Sequence, residues 1–254
     1  MTKKRLDDLL LARGLATDLP EARALIAVGS VLVAERVADK CGQSYPADCL
    51  LRLRAREHDY VSRGGLKLAK ALSYFAIVPN GWHCLDIGAS SGGFTDCLLQ
   101  HGAARVYAVD VAYGQLDWRL RNDSRVVVME RINARHLRPG DIAAEIDLTV
   151  IDASFISVTR LLPAVLPFFS GERRFIILVK PQFELPAVKV GAGGVVRDAE
   201  ARQEAVRQVA DFAASFGLTS VGVVASPILG PKGNQEFLLY LTGAAGTNKG
   251  TEEG

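Results

Sequence analysis

Leu85-Asp86-Ile87-Gly88-Ala89-Ser90-Ser91-Gly92-Gly93-Phe94-Thr95 is the stretch on which the fold turns. The apolar run His83–Ile87 enters it as a strand, and a helical pattern leaves it over Gly93–His101. A loop of small residues between strand and helix lets a ligand approach the backbone. In open α/β folds such loops lie at the carboxyl edge of the sheet, where ligands bind. The next apolar run, Arg105–Val111, carries Asp110 22 residues past Gly88, a spacing at which an acidic side chain can accept hydrogen bonds from a ribose.

Outward from this loop the pattern repeats. Strands are expected at Arg125–Met129, Asp147–Asp152, Phe175–Lys180, Ser220–Ala225 and Glu236–Leu241, with helices at Val158–Phe169 and Asp198–Phe216. Strands alternating with helices predict a mostly parallel, doubly wound sheet. Only Ser-Pro-Ile-Leu-Gly-Pro-Lys-Gly-Asn-Gln separates the last two strands, too little for a crossover, so they must pair antiparallel. Seven strands with an antiparallel last one is the α/β arrangement of Rossmann-like methyltransferases.

Three chemistries compete for the loop. A dinucleotide site wants G-x-G-x-x-G, and Ser90 stands at the second glycine. A nucleophile elbow wants G-x-S-x-G, which Gly88-Ala89-Ser90-Ser91-Gly92 satisfies, but a hydrolase of that kind needs a late histidine. The four histidines are His58, His83, His101 and His136, none beyond the fourth strand. An S-adenosylmethionine loop, D-x-G-x-x-x-G-G-F with Asp110 on the ribose, fits both the spacing and the strand order.

Before this domain lies a smaller pattern of two short helices and two short strands: Leu6, Leu9 and Leu10 with Thr2 as N-cap and Gly14 as stop, then Leu19–Val28, Val31–Val33 and Leu50–Leu53. The expected organisation is a small α+β module over 1–57, the α/β domain over 58–243 and a disordered tail over 244–254. Residues 1–57 hold ten Lys or Arg against eight Asp or Glu, and this accounts for the whole net charge of +2. Arg5, Arg13 and Arg23 recur on or near the module's helices. From Arg52 to Lys70 the balance tips further, with Arg54, Arg56 and Arg63 among six cations against two acids. A basic segment of this kind predicts phosphate contacts.

Composition narrows the rest. With 49% hydrophobic and 23% charged residues, this is an ordinary globular protein. Four cysteines without C-x-x-C spacing indicate neither a zinc site nor a disulfide framework. Asp7 and Asp8 interrupt any signal-peptide run, and Gly217, Gly222 and Pro227 break the longest uncharged stretch, which excludes a membrane span. A cytoplasmic monomer is expected.

Four charged residues far apart in sequence should meet at one edge. Asp152 ends the fourth strand, Lys180 ends the fifth, and Glu236 begins the antiparallel last one. Lys67, on the helix feeding the first strand of the sheet, can reach them. The motifs Ser62-Arg63-Gly64-Gly65-Leu66-Lys67-Leu68, Leu85–Leu99, Asp147–Val158, Leu178–Glu184 and Gly233–Leu241 together resemble the TlyA family of ribosomal RNA 2′-O-methyltransferases, whose catalytic half is of the FtsJ type. The N-terminal module resembles the RNA-binding domain first seen in small-subunit ribosomal protein S4. The resemblance implies a catalytic tetrad of Lys67, Asp152, Lys180 and Glu236. It implies S-adenosylmethionine held by Asp86, Gly88–Phe94, Asp110, Asn133 and Asp152, and a cytidine of ribosomal RNA as substrate, on one or both subunits. No metal is expected, and the alternative to an enzyme is a non-catalytic RNA-binding ribosome assembly factor with a vestigial cofactor pocket. Two departures stand out: Ala192 where a lysine is expected, and Ala34-Glu35-Arg36 where a turn would usually read Asn-Gly.

Three residues have an expected role and a plain alternative. Lys180 is the candidate base, or else an electrostatic clamp. Phe155, three residues past Asp152, is a candidate platform for the target base, or else core. Asn133 is a candidate adenine contact, or else a loop cap.

Overall fold

Leu6, Leu9 and Leu10 recur at helical spacing, and the computed structural model of the chain buries all three on one face of a short helix. The structure describes residues 3–27, 29–54 and 58–244. Thr2, Val28, Arg56 and the expected tail from 245 onward lie outside the described residues. The described residues form two compact units: one reaching to Asp59 and joined by Asp117–Arg119, the other Tyr60–Leu116 with the chain from Leu120 onward.

In the first unit β1 (Lys3–Arg5) runs directly into α1 (Leu6–Ala12), so Arg5 rather than Thr2 stands at the N-cap. Gly14, at φ 65°, closes this segment and leaves Leu15 beyond the helix. Then come α2 (Leu19–Ala27), β2 (Val31–Val33), β3 (Arg36–Val37), β4 (Ser44–Pro46) and β5 (Leu51–Leu53). Strands β3, β2 and β5 form an antiparallel sheet, while β1 pairs with β4. Leu6, Leu9, Leu10, Ile26, Val31 and Leu51 make the core. The β2–β3 hairpin turns through Ala34 and Glu35 at φ 45° and 64°, a two-residue turn whose positive φ values usually call for Asn-Gly. Glu35 holds this turn to the neighbouring strand by accepting from Arg52 Nε at 2.8 Å.

The arginines of this unit do structural work as well. Asp7 is fully buried and accepts from Arg5 Nη2 at 2.8 Å and Arg23 Nε at 3.2 Å. The hydrogen bond from Arg5 is the main cause that holds its carboxyl down to about 2. Arg13 Nη2 donates to the Ala47 carbonyl at 2.7 Å. Arg5, Arg13 and Arg23 thus each commit part of the guanidinium to the fold.

The chain then runs through α3 (Gly64–Tyr74), β6 (His83–Ile87), α4 (Gly93–Gln100), β7 (Arg105–Asp110), α5 (Trp118–Arg121), β8 (Val126–Glu130), β9 (Leu148–Ile151), α6 (Leu162–Val165), β10 (Arg173–Val179), α7 (Pro181–Glu184), α8 (Ala199–Ala214), β11 (Thr219–Ala225) and β12 (Phe237–Gly243). Seven strands form one sheet in the order β11-β12-β10-β9-β6-β7-β8. From β10 to β8 neighbours are parallel, and β12 is antiparallel to both β10 and β11, as expected of the last strand. Apolar layers cover both faces: Phe175, Ile177 and Val179 of β10 enter one, Ile176 and Leu178 the other. A strand buried on both sides reads as an unbroken apolar run, which is why Phe175–Val179 carries no alternation.

The helix expected over Val158–Phe169 does not form as one element. It splits into a 3-10 turn at Val158–Arg160, α6 and a second 3-10 turn at Leu166–Phe168. Pro163 and Pro167 each remove a backbone donor and crowd the preceding turn. No helix among the described residues is long and apolar enough to cross a membrane.

Candidate active site

Strands β9 and β10 run parallel and end at Ile151 and Val179, so Asp152 and Lys180 are the first residues past their carboxyl ends. Val179 pairs with Phe237 across the antiparallel β10–β12 ladder, which brings Glu236 to the same edge. Lys67 reaches this edge from α3. All four side chains line one cavity of about 300 Å³, together with Gly88, Ala89, Ser90, Ser91, Gly93 and Phe94 of the loop.

The four form two pairs. Lys67 Nζ donates to Glu236 Oε2 at 2.5 Å, and Lys180 Nζ lies 2.6 Å from Asp152 Oδ1. Lys180 also donates to Ser154 Oγ at 2.8 Å. Its contact with Asp152 is coulombic rather than directional, because Oδ1 sits outside hydrogen-bonding geometry. Both lysines and Glu236 are buried. Glu236 Oε1 is buried without a protein partner, so the site holds an acceptor still to be used. Ser154 was not singled out in the sequence; two positions past Asp152 in a polar loop, a serine carries no signal of its own.

A second cavity of about 470 Å³ shares Gly88, Ser90, Asp152 and Ser154 with the first and extends to Asp110, Gln115, Ile132, Asn133 and Phe155. Asp110 orders the loop beside it: Oδ2 accepts the Ser90 N–H at 2.8 Å and Oδ1 the Ala112 N–H at 2.7 Å. Each oxygen keeps a further lone pair, enough for two vicinal ribose hydroxyls. Gly88 takes φ 85°, and a Cβ there would stand 2.5 Å from the Asp152 carbonyl oxygen, so only glycine lets the two strand ends approach. Close backbone, a ribose-type acceptor and an unused carboxylate oxygen in adjoining cavities fit a ligand with a nucleoside half and a charged half. The residues present thus suit S-adenosylmethionine.

Two expected cofactor residues stand back from both cavities. Asp86 is fully buried and lines neither; it accepts the Thr95 hydroxyl at 2.6 Å and so ties β6 to the start of α4. Burial is the main cause that raises its carboxyl to about 7. Gly92 is the N-cap of α4, and a Cβ there would strike Leu120. Both shape the loop that borders the cavities. Asn133 is a loop cap, accepting the Arg135 N–H at 3.1 Å, and also lines the second cavity. Phe155 is not core: it is 91% exposed at φ 65°. Arg63, expected on RNA, lines the first cavity; Arg54 is described but lines neither. No histidine lines either cavity, which leaves the Gly88–Gly92 elbow without the base a hydrolase requires.

Comparison with known proteins agrees with this geometry. A family model described as FtsJ-like methyltransferase matches residues 60–242. The 16S/23S rRNA (cytidine-2′-O)-methyltransferase TlyA of Mycobacterium tuberculosis is 47% identical over 255 residues, 99% of this chain and 95% of that protein. The 23S rRNA (cytidine-2′-O)-methyltransferase TlyA of Campylobacter jejuni is 33% identical, covering 77% of each chain. A solved structure named as a hemolysin from Streptococcus thermophilus superposes with a TM-score of 0.73 at 39% identity, over 96% of this chain and 90% of that one. Sheet order, cavity and these likenesses converge: the chain belongs to the TlyA family of FtsJ-like methyltransferases.

Proposed function

We propose that this protein transfers a methyl group from S-adenosylmethionine to the 2′-hydroxyl of a cytidine ribose in ribosomal RNA. The observation that carries the reading is the meeting of Lys67, Asp152, Lys180 and Glu236 in a cavity continuous with that of Asp110. Relatives named as rRNA cytidine-2′-O-methyltransferases support the choice of acceptor. When bound, the cofactor supplies a methyl on a sulfonium and leaves as a neutral thioether, so the leaving group asks for no acid. What the chain's own residues must do is align a weakly acidic hydroxyl and take its proton. Lys180, as a free amine after giving one proton to solvent, takes that proton, with Ser154 aiming its nitrogen and Asp152 stabilising the ammonium that forms. Glu236 holds Lys67 in place and offers its free oxygen to the ribose. Gly88–Phe94, Asp110 and Asn133 hold the cofactor.

The RNA side is read in the same way. Phe155, exposed at the mouth of the second cavity, stacks on the target base once that base has left its helix. The N-terminal unit is an S4-like RNA-binding domain, and with Arg54, Arg56 and Arg63 it supplies phosphate contacts. Such a substrate implies a cytoplasmic protein working on the ribosomal subunit, and we propose that it does so as a monomer.

The test is transfer of label from tritiated S-adenosylmethionine to ribosomal subunits lacking the modification, followed by mass mapping of the RNA. Label on a cytidine ribose is expected. No transfer, or label on a base, would overturn the reading.

A further inference from the structure

Three residues of the segment after β10 hold the loop after β9. Lys180 touches Asp152 and Ser154. Phe183 lies against Phe155 with ring centroids 5.2 Å apart. Glu184 then accepts the Ser157 hydroxyl at 2.5 Å on Oε2 and the Val158 N–H at 3.0 Å on Oε1. Ser157 Oγ in turn accepts the Thr159 N–H at 3.2 Å, so of the first donors of the 3-10 turn at Val158–Arg160 one ends on the carboxylate and the next on the hydroxyl that the carboxylate holds.

Between these fixed points stands Phe155. Its φ of 65° is a conformation that a bulky L residue adopts only under constraint, and its ring is 91% exposed although burial is what an aromatic ring favours. A strained, solvent-facing aromatic persists only where the surroundings over-determine it. On the C-terminal side of Phe155 the constraint comes from Glu184, whose carboxyl is pushed above its ordinary value by burial against the pull of its two donors. Neither a serine hydroxyl nor a glutamate on a four-residue helix would be picked out by sequence pattern.

We infer that Glu184 is a positioning residue for methyl transfer: its hydrogen bonds to Ser157 and Val158 clamp the loop so that Ser154 stays on Lys180 and the Phe155 ring stays presented at the cavity mouth. This rests on the proposed RNA methyl transfer. Glu184 touches no reacting atom and acts through its neighbours.

The experiment uses the full chain and ribosomal RNA lacking the modification. Wild-type transfer tests the functional reading by itself; the variants test only the role of Glu184. Glu184→Ala is expected to lower kcat/KM for RNA about tenfold or more, because small displacements of positioning groups are costly. Glu184→Gln should recover most of that loss, since its amide can accept from Val158 and donate to Ser157 Oγ. In a Phe155→Ala background Glu184→Ala should cost clearly less than in the wild type, because part of its effect, the presented ring, is already gone, while the part carried by Ser154 on Lys180 remains. Should Glu184→Ala fail to fold in a thermal melt, Ser157→Ala paired with Phe155→Ala makes the same cycle. Wild-type kcat/KM in Glu184→Ala, no rescue by Gln, or losses that multiply independently with Phe155→Ala would each overturn the inference.

Discussion

Lys67 and Glu236, 169 residues apart in the chain, meet at 2.5 Å between Nζ and Oε2, and the second oxygen of this fully buried carboxylate has no protein partner. The glycine at 230 makes room for that oxygen, since a Cβ there would stand 2.1 Å from it. A buried pair left half satisfied is poor stabilisation, and this one opens on a cavity. The arrangement is that of a site retained for function.

Removing one partner should therefore separate stability from activity. Lys67→Met leaves a buried carboxylate without its cation and is expected to cost about 3–5 kcal/mol in urea unfolding. The double variant Lys67→Met/Glu236→Leu should regain most of that stability while remaining inactive in methyl transfer. A stable double variant with near wild-type turnover would reduce the pair to architecture.

Lys180→Arg separates two roles that geometry leaves together. Arginine keeps the positive charge beside Asp152 but cannot release its proton. If Lys180 takes the ribose proton, kcat should fall by about a hundredfold or more, the usual scale of a lost general base. Turnover near wild type would make Lys180 an electrostatic clamp. Single-turnover measurement with saturating RNA keeps binding out of the comparison.

Asp86 sets a pH slope of known sign. Burial, reinforced by Asp152 and Asp110, raises its folded-state value to about 7, above the ordinary carboxylate value of about 3.9. The folded chain then binds more protons than the unfolded one between those values, so stability falls as pH rises through them. Asp86→Asn keeps an acceptor for the Thr95 hydroxyl and carries no charge, so the Asp86 share of the slope should disappear and the variant's stability should fall less steeply with pH. Urea unfolding of both proteins at about pH 4.5 and about pH 7.5 measures it. Parallel curves would mean that Asp86 does not titrate in that window.

What could be read in advance follows from how far each signal reaches along the chain. Strand β10 was legible because burial on both faces demands an unbroken apolar run, and Asp152, Lys180 and Glu236 stood out as charges at the ends of such runs. Strands β1, β3 and β4 have two or three residues and no period to detect. Pro163 and Pro167 were visible, but the apolar pattern around them outweighed their effect on backbone donors. Asp86 begins the loop motif, and its hydrogen bond from Thr95, nine residues on, is a contact that the motif does not mark. Ser154 and Glu184 escaped notice because their partners, Lys180 and Ser157, lie 26 and 27 residues away, so nothing near either residue marks the contact.

The basic segment makes a prediction of its own about binding. Each phosphate neutralised by a cation contributes roughly 0.7–0.9 to the slope of log K against log salt. Arg54→Gln, Arg56→Gln and Arg63→Gln combined should therefore flatten that slope by about 2 for ribosomal RNA, if all three meet phosphates. Because Arg63 also lines the first cavity, the measurement must be equilibrium binding over a salt series rather than turnover. A loss of affinity with an unchanged slope would assign these arginines to shape or base contacts. A slope reduced by only two contacts' worth would leave Arg63 to the ribose or cofactor and the phosphate contacts to Arg54 and Arg56.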